Sequence, residues 1–457
     1  MKPYEAGGPT LTRVSRRRWA IGLVVGVVVL AGTGAVVVTK LGHECGKAVE
    51  SLPASQSTSP FLDAEQRAEQ PDRDRDRLVE AMQAAPPPFG EVLGAVGYHY
   101  EQWAQLSAYA QGIGVRTRHN PDFTMLDDEQ LQPMWSVAVR TTKSTYDASD
   151  RSYLVATLPA GAAPDLVRLS ADTGGRKWCA TLEGPSVQSG DPFATQILPD
   201  EGVAVVGPGD GDKERLVRLT GADGSQEWAR NIDTGSGDFL GDMGDETLLV
   251  GGREQFRLFD PESLSNRPVG AALVLVSAKD GKTIWTKRAA AGSDLHVLGT
   301  DPETRRAFVQ ERAADDGQTR LTALDENGDE VWSKTPARET TFDAALLSGR
   351  LLVRAGNRWS AYATEDGRRL WTRLMPERPQ FLPYGFELGS VPLLDADHAL
   401  IGGTTALHTL DLRNGTMTSA KLPTDGINTT YWPYEVVVSP GSIGVATNTG
   451  AVVVRRE

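Results

Sequence analysis

The sequence predicts an all-β fold: a closed ring of seven repeated four-stranded sheets, with eight as the alternative count. Three observations carry this. A hairpin unit ending in tryptophan recurs along the chain. A second apolar strand precedes each hairpin. The array begins and ends on complementary halves of one sheet.

The hairpin unit is first seen in Leu166-Val-Arg-Leu-Ser-Ala-Asp-Thr-Gly-Gly-Arg-Lys-Trp178. It returns as Asp223-Gly224…Trp228, Asp280-Gly281…Trp285, Asn327-Gly328…Trp332 and Asp366-Gly367…Trp371, with the same spacing from Gly to Trp as between Gly174 and Trp178. A sixth unit, Asn414-Gly415, carries Ser419 where the tryptophan would stand. Alternating apolar runs such as Leu216-Val-Arg-Leu219 and Leu407-His-Thr-Leu410 precede these turns. Alternation means strand, and Asp-Gly or Asn-Gly between strands means a tight hairpin. Glycine supplies the positive φ such a turn needs.

The preceding strands are Tyr153–Ala156, Val203–Val206, Leu248–Val250, Ala307–Val309, Leu351–Val353, Ala399–Ile401 and Ile443–Ala446. The last is followed by Gly450-Ala-Val-Val-Val454, and its tryptophan strand is missing. Upstream, Met134-Trp-Ser-Val-Ala-Val139 is a tryptophan strand without a hairpin. Strand 134–139 is therefore expected to pair with 451–455 and close the ring. Closure removes the exposed sheet edges of an open array.

These residues resemble the tryptophan-docking repeat of pyrroloquinoline-quinone-type β-propellers over roughly 134–457. The resemblance implies that Trp135, Trp178, Trp228, Trp285, Trp332 and Trp371 pack between blades, and that Gly174, Gly224, Gly281, Gly328, Gly367 and Gly415 cap hairpins. Quinone-dependent dehydrogenases of that fold use an adjacent cysteine pair, a metal and an aspartate base. This chain has no Cys-Cys pair, and the metal-ligand and base motifs match no positions in it. No quinone cofactor and no catalytic residue is assigned. The resemblance also covers non-catalytic scaffolds of envelope assembly.

The amino terminus reads as an anchor. Arg16-Arg-Arg18 precedes an uncharged apolar run from Trp19 to Val38. About 20 such residues match the thickness of a bilayer core. The basic cluster stays cytoplasmic, which puts the body outside. A cleaved signal peptide is the rival reading, but the run is long and no Ala-x-Ala site follows it. The expected organisation is a basic cytoplasmic tail 1–18, a transmembrane helix 19–39, a flexible stalk 40–90, an entry segment 91–130 packed on the propeller, and the propeller 131–457. In the stalk, Ser51–Pro60 is of low complexity and the run Asp72-Arg-Asp-Arg-Asp-Arg77 interrupts any apolar stripe.

Composition narrows the function. The chain has 457 residues, 40% of them hydrophobic, and a formal net charge of −13. Lys2, Arg13, Arg16, Arg17, Arg18 and Lys40 oppose only Glu5 in the first 40 residues, so the body is more acidic than the whole. An acidic body repels phosphate backbones and excludes a nucleic-acid role. The two cysteines, Cys45 and Cys179, cannot build a metal cluster. A Cys45–Cys179 bridge is open to them outside a cell, but the stalk position of Cys45 favours two unpaired thiols. The histidines 43, 99, 119, 296, 398 and 408 lie in no metal-ligand spacing. Acidic loops at Asp210-Gly-Asp212 and at Asp238, Asp242, Asp245 and Glu246 have the oxygen chemistry of calcium sites but read as solvated connections. No metal is assigned.

The leading expectation is a single-pass, membrane-anchored, extracytoplasmic propeller that binds protein or cell-envelope partners without catalysis. The alternatives are a quinoprotein-type dehydrogenase or other enzyme using the central channel, and a ligand sensor acting through a membrane partner.

Overall fold

Eight antiparallel sheets follow one another around a ring in the computed structural model. It describes Cys45 and residues 50–57, 59–97, 104–109, 112–117, 123–138, 141–147, 151–157, 164–182, 194–209, 213–234, 239–252, 272–290, 293–313, 319–336, 343–355, 357–375, 391–403, 405–422, 435–447 and 450–457. The apolar run 19–38 lies outside these residues. Among the described residues, no helix is long and apolar enough to cross a membrane.

Blades two to six share one plan, in which the chain runs from an inner strand to an outer one. Blade two is Thr141–Asp147, Ser152–Thr157, Asp165–Ser170 and Arg176–Thr181. Blade three ends on Gln226–Ile232, blade four on Thr283–Arg288, blade five on Glu330–Lys334 and blade six on Arg369–Leu374. The inner strands of successive blades touch: Ala194–Ile197 meets Phe239–Gly244, which meets Ser293–Asp301, which meets Asp343–Leu347. Among the described residues, blade seven has three strands, His398–Gly402, Ala406–Asp411 and Met417–Lys421. A single bridge, Leu393 to Ala399, stands where its inner strand would be.

The count of seven is corrected to eight, and the closure is corrected with it. Pro133–Ala138 does not pair with the carboxyl-terminal strand. It is the fourth strand of a further blade, with Ala104–Tyr109, Gly112–Thr117 and Phe123–Asp127. The strand that completes the last sheet is Phe89–Gly97. It pairs with Gly450–Arg456, with Ala95 opposite Val452 and Val96 opposite Ala451. The residues expected to shut the ring, 134–139, lie in a different sheet from Gly450–Arg456. Blade one lacks the repeat's signature, because its last turn, Asp128–Gln132, has no glycine. Leu131 takes φ 56° instead. Asp127 holds the turn by accepting from the N–H groups of Gln130 and Gln132, each at 2.7 Å.

Cys45 and residues 50–57 and 59–97, expected as a stalk and the start of an entry segment, form a clasp. Glu50–Pro53 adds a fifth strand to the outside of blade one, with Leu52 opposite Ser136. Helix α1, Ala64–Glu69, begins with a capping box. Asp63 accepts from the Gln66 N–H at 2.9 Å, and Gln66 accepts from the Asp63 N–H at 3.1 Å. Helix α2, Arg73–Gln83, is capped by Asp72. The alternating charges at its start do not prevent packing. Leu78 and Val79, each about one helical turn from Met82, make a buried stripe with it against Val92, Leu407, Ile443 and Val452 of blades seven and eight.

Cys45 and Cys179 are disulfide-bonded, which corrects the reading of two unpaired thiols. Cys179 sits on the outer strand of blade two, and the clasp brings Cys45 to it. The Arg176 guanidinium donates to the Cys45 carbonyl at 3.0 Å.

Candidate functional site

The repeat residues meet at the seams between blades. Each docking tryptophan leaves its own outer strand and donates its indole N–H to a carbonyl in the last turn of the next blade. Trp135 donates to Ala171 at 2.8 Å, Trp178 to Gly221 at 2.8 Å and Trp228 to Ala278 at 3.0 Å. Trp285 donates to Glu326 at 2.9 Å, Trp332 to Thr364 at 2.9 Å and Trp371 to Leu412 at 2.8 Å. An indole buried without an acceptor would carry a desolvation cost, so the shared carbonyl fixes its orientation. In three of these seams an arginine reaches the same carbonyl: Arg168 to Gly221 at 3.1 Å, Arg218 to Ala278 at 2.7 Å and Arg306 to Thr364 at 2.9 Å. The spacing of the repeat gave no sign of these arginines. Their shared partners emerge only when the blades are side by side.

The turn glycines serve two purposes. All six have positive φ, from 65° at Gly367 to 80° at Gly328. Each also lies under the tryptophan of the preceding blade, not under its own. A Cβ on Gly224 would stand 2.6 Å from the Trp178 ring, and one on Gly415 would stand 2.7 Å from Trp371. Gly224→Ala is therefore expected to destabilise by about 2–4 kcal/mol, from backbone strain and overpacking together. Gly349 has φ 67° with open space beside it. Its alanine variant isolates the backbone part and should lose only about 1–2 kcal/mol. Equal losses in urea unfolding would refute the packing role.

Among the described residues, no tryptophan docks at two of the seams. Between blades seven and eight, Ser419 bonds His408 Nδ1 at 2.8 Å within blade seven, and α2 supplies the apolar cover. Between blades eight and one, two carboxylates take over. Asp128 accepts from the Gly441 N–H at 2.7 Å. Glu435, on the inner strand Glu435–Val438, accepts from the Leu106 N–H at 2.9 Å. Burial pushes the Glu435 carboxyl up to about 7, and the bond from Leu106 only partly opposes this. A raised acid favours its protonated form in the native state. Its stabilising effect is complete below about 4.5 and is lost as pH rises towards 7. Glu214, buried in blade three, is shifted upward by the same cause. The wild type should therefore lose more stability between pH 5 and pH 7 than Glu435→Gln does. Parallel slopes in chemical denaturation would sink this prediction.

The candidate ligands do not converge. Asp210, Asp212 and Asp238 lie outside the described residues, as do His43, His99 and His119. Asp242 accepts from the Gly244 N–H at 2.8 Å, and Asp245 pairs with Arg305 at 2.6 Å. His398 Nδ1 lies 2.9 Å from Asp395, and His296 is buried on the inner strand of blade five. Among the described residues, one group has metal-ligand spacing, Cys45, Asp165 and Cys179. Its sulfurs are bonded to each other, so they are not free to ligate. The two cysteines are not adjacent in sequence, and Cys179 is on an outer strand.

The outer strands carry a different feature. Ile284, Val331 and Leu374, on blades four, five and six, are large aliphatic side chains 52%, 41% and 69% exposed. They stand singly, one on the outer strand of each blade, and Leu393, ahead of blade seven, is a fourth such side chain among the described residues.

A family described as "Outer membrane protein assembly factor BamB" matches residues 123–260 and 269–455, most of the chain. Among solved structures, BamB from Moraxella catarrhalis is 14% identical, covers 79% of this chain and all of its own, and has a TM-score of 0.43. The carboxyl-terminal WD40 domain of Sif2 is 9% identical over 81% of this chain and 99% of its own, with a TM-score of 0.50. A quinohemoprotein alcohol dehydrogenase from Pseudomonas putida HK5 is 11% identical over 84% of this chain and 82% of its own, with a TM-score of 0.45. At such identities the likeness is one of fold. No curated protein matches the chain.

Proposed function

We propose, for a chain that belongs to the family of the outer membrane protein assembly factor BamB, the role of a non-catalytic binding platform for protein partners in a cell envelope. The carrying observation is the perimeter series Ile284, Val331 and Leu374 on a rigid, tryptophan-stapled ring. Large aliphatic side chains exposed on the outer strands of three successive blades offer a partner protein apolar points of contact. The repeat residues are spent on the seams, which leaves surfaces to provide specificity.

In this reading the propeller is extracytoplasmic, and the run 19–38 anchors it as a single membrane-spanning helix. The Cys45–Cys179 bond supports that compartment, because structural disulfides persist in oxidising surroundings. The reading uses no quinone and no metal.

The test is cross-linking of the full chain in its native membranes. One partner set should be recovered with the wild type and with Lys213→Glu, and lost with Ile284→Glu, Val331→Glu and Leu374→Glu combined. Recovery unchanged by the triple substitution would overturn the assignment of the surface. Saturable, quinone-dependent dye reduction by the purified chain would overturn the non-catalytic role.

A further inference from the structure

We infer that the partner protein offers an extended acidic segment, which adds as an antiparallel strand to the outer edges of blades four to six. This rests on the platform reading above and names the kind of segment that binds. The first observation is where the clasp is laid. Helix α2 packs on the outer strand of blade seven, whose Ala420 and Leu422 join its buried stripe. On the outer strand of blade eight, Ala95 accepts from the Leu62 N–H at 2.9 Å and donates back at 3.1 Å. Glu50–Pro53 pairs along blade one, and Cys45 is fastened to blade two. Four successive blades are thus met on the outside by the chain itself. Among the described residues, no strand pairs with the outer strands of blades three to six.

The second observation concerns one position, two residues beyond the docking tryptophan. On blades met by the clasp it is apolar: Val137 in blade one, Ala180 in blade two and, in the bulge-free strand of blade seven, Ala420 opposite Leu407. On the four open blades it is Arg230, Lys287, Lys334 and Arg373. All four are exposed or half-buried. Among the described residues none of them has a carboxylate partner, whereas Glu227 and Glu330 on the same strands pair with Arg218 and Arg320. Arg230 and Arg373 donate only to the carbonyls just before them, Ala229 at 2.9 Å and Thr372 at 3.3 Å. In a chain of net charge −13, one sign at this position leaves cations along the open edges for an anionic partner to meet.

The clasp shows how such an edge is read. In blade one, Ser51 stands opposite Val137 and Leu52 opposite Ser136. Directly opposed residues share a face of the sheet. A partner strand in the same register sets an acidic residue against Lys287, Lys334 or Arg373. Its next residue falls on the other face, opposite Thr286, Ser333 or Thr372. An apolar residue there suits strands that carry the exposed Ile284, Val331 and Leu374. Blade three has the cation without such an aliphatic, so the edges of blades four to six are the ones assigned. Unpaired N–H and C=O groups of an edge strand supply affinity, and the cations select the segment.

The experiment uses the purified full chain in detergent and a fluorescein-labelled peptide in which glutamate alternates with valine. Saturable binding is expected. Amide exchange should slow in Thr283–Arg288, Glu330–Lys334 and Arg369–Leu374, and stay unchanged in Pro133–Ala138, whose edge is already taken. Lys287→Glu, Lys334→Glu and Arg373→Glu combined should weaken the peptide roughly tenfold, since attraction across the strand pair becomes like-charge repulsion. The same variant should take up a peptide with lysine in place of glutamate. The glutamate peptide N-methylated throughout keeps its charge, loses its donors and should not bind. No saturable binding of the unmethylated glutamate peptide would leave the cations as guards against stray pairing and overturn the inference. Equal binding of the lysine peptide to the wild type would overturn it too. So would undiminished binding of the N-methylated peptide, which would make these edges a contact for any polyanion. The charge-reversed chain is also carried through the cross-linking in native membranes. A partner set lost with the three aliphatic substitutions but kept with the charge reversals would overturn the acidic strand and leave the platform reading standing.

Discussion

Trp135→Ala should lose about 3–5 kcal/mol of unfolding free energy, the range for deleting a buried tryptophan. Trp135 is 1% exposed. Its ring packs beside Tyr153 and Phe123 at centroid distances of 5.6 and 6.0 Å. Gly174 of the next blade lies directly beneath it. Neither the aromatic neighbours nor that glycine can fill the space by a rotamer change, and the Ala171 carbonyl loses its donor. Trp285 makes the equivalent bond to Glu326, but its side chain is only partly buried. Trp285→Ala should therefore lose less, about 1–3 kcal/mol, because less apolar surface returns to water. Urea unfolding of both variants decides the matter. A loss at position 285 equal to that at 135 would mean that burial does not set the strength of a seam.

Met82→Asp is expected to open the ring where no tryptophan staples it. Met82 is fully buried among Leu407, Ile443, Val452 and Val454. A carboxylate there has no partner, and burying an unpaired charge costs several kcal/mol, enough to detach α2. The consequence is local. Phe89–Gly97 and Gly450–Arg456 should exchange their amide hydrogens much faster, while the central strands of blades three to five keep their protection. Glu80→Gln, on the exposed side of the same helix, is the control. Uniform loosening of all eight blades, or none, would show that α2 does not act as the missing staple.

The repeat was legible because it is local. Alternating apolar residues, an Asx-Gly turn and a tryptophan at fixed spacing are all visible within one hairpin. They located the second strand and the hairpin of blades two to seven, but not the inner strands of blades two to six. Blade one was not legible, because Leu131 and the hydrogen bonds of Asp127 form its turn without glycine. The clasp was hidden for another reason. Alternating Asp and Arg at the start of α2 look like a solvated segment, and the short stripe of Leu78, Val79 and Met82 gains meaning only against blades seven and eight.

The division between the two levels is physical. Sequence by itself determined the repeating unit, because the pleat and the tight turn depend on neighbours within a few residues. It also indicated that one early strand must complete the last sheet. The tertiary structure alone decided which strand that was, how many blades the ring holds, and that each tryptophan rests on the glycine of the following blade. It also decided that Cys45 and Cys179, separated by 134 residues, are bonded. These depend on which surfaces meet after the chain has travelled around the ring, and no spacing along the sequence records that distance.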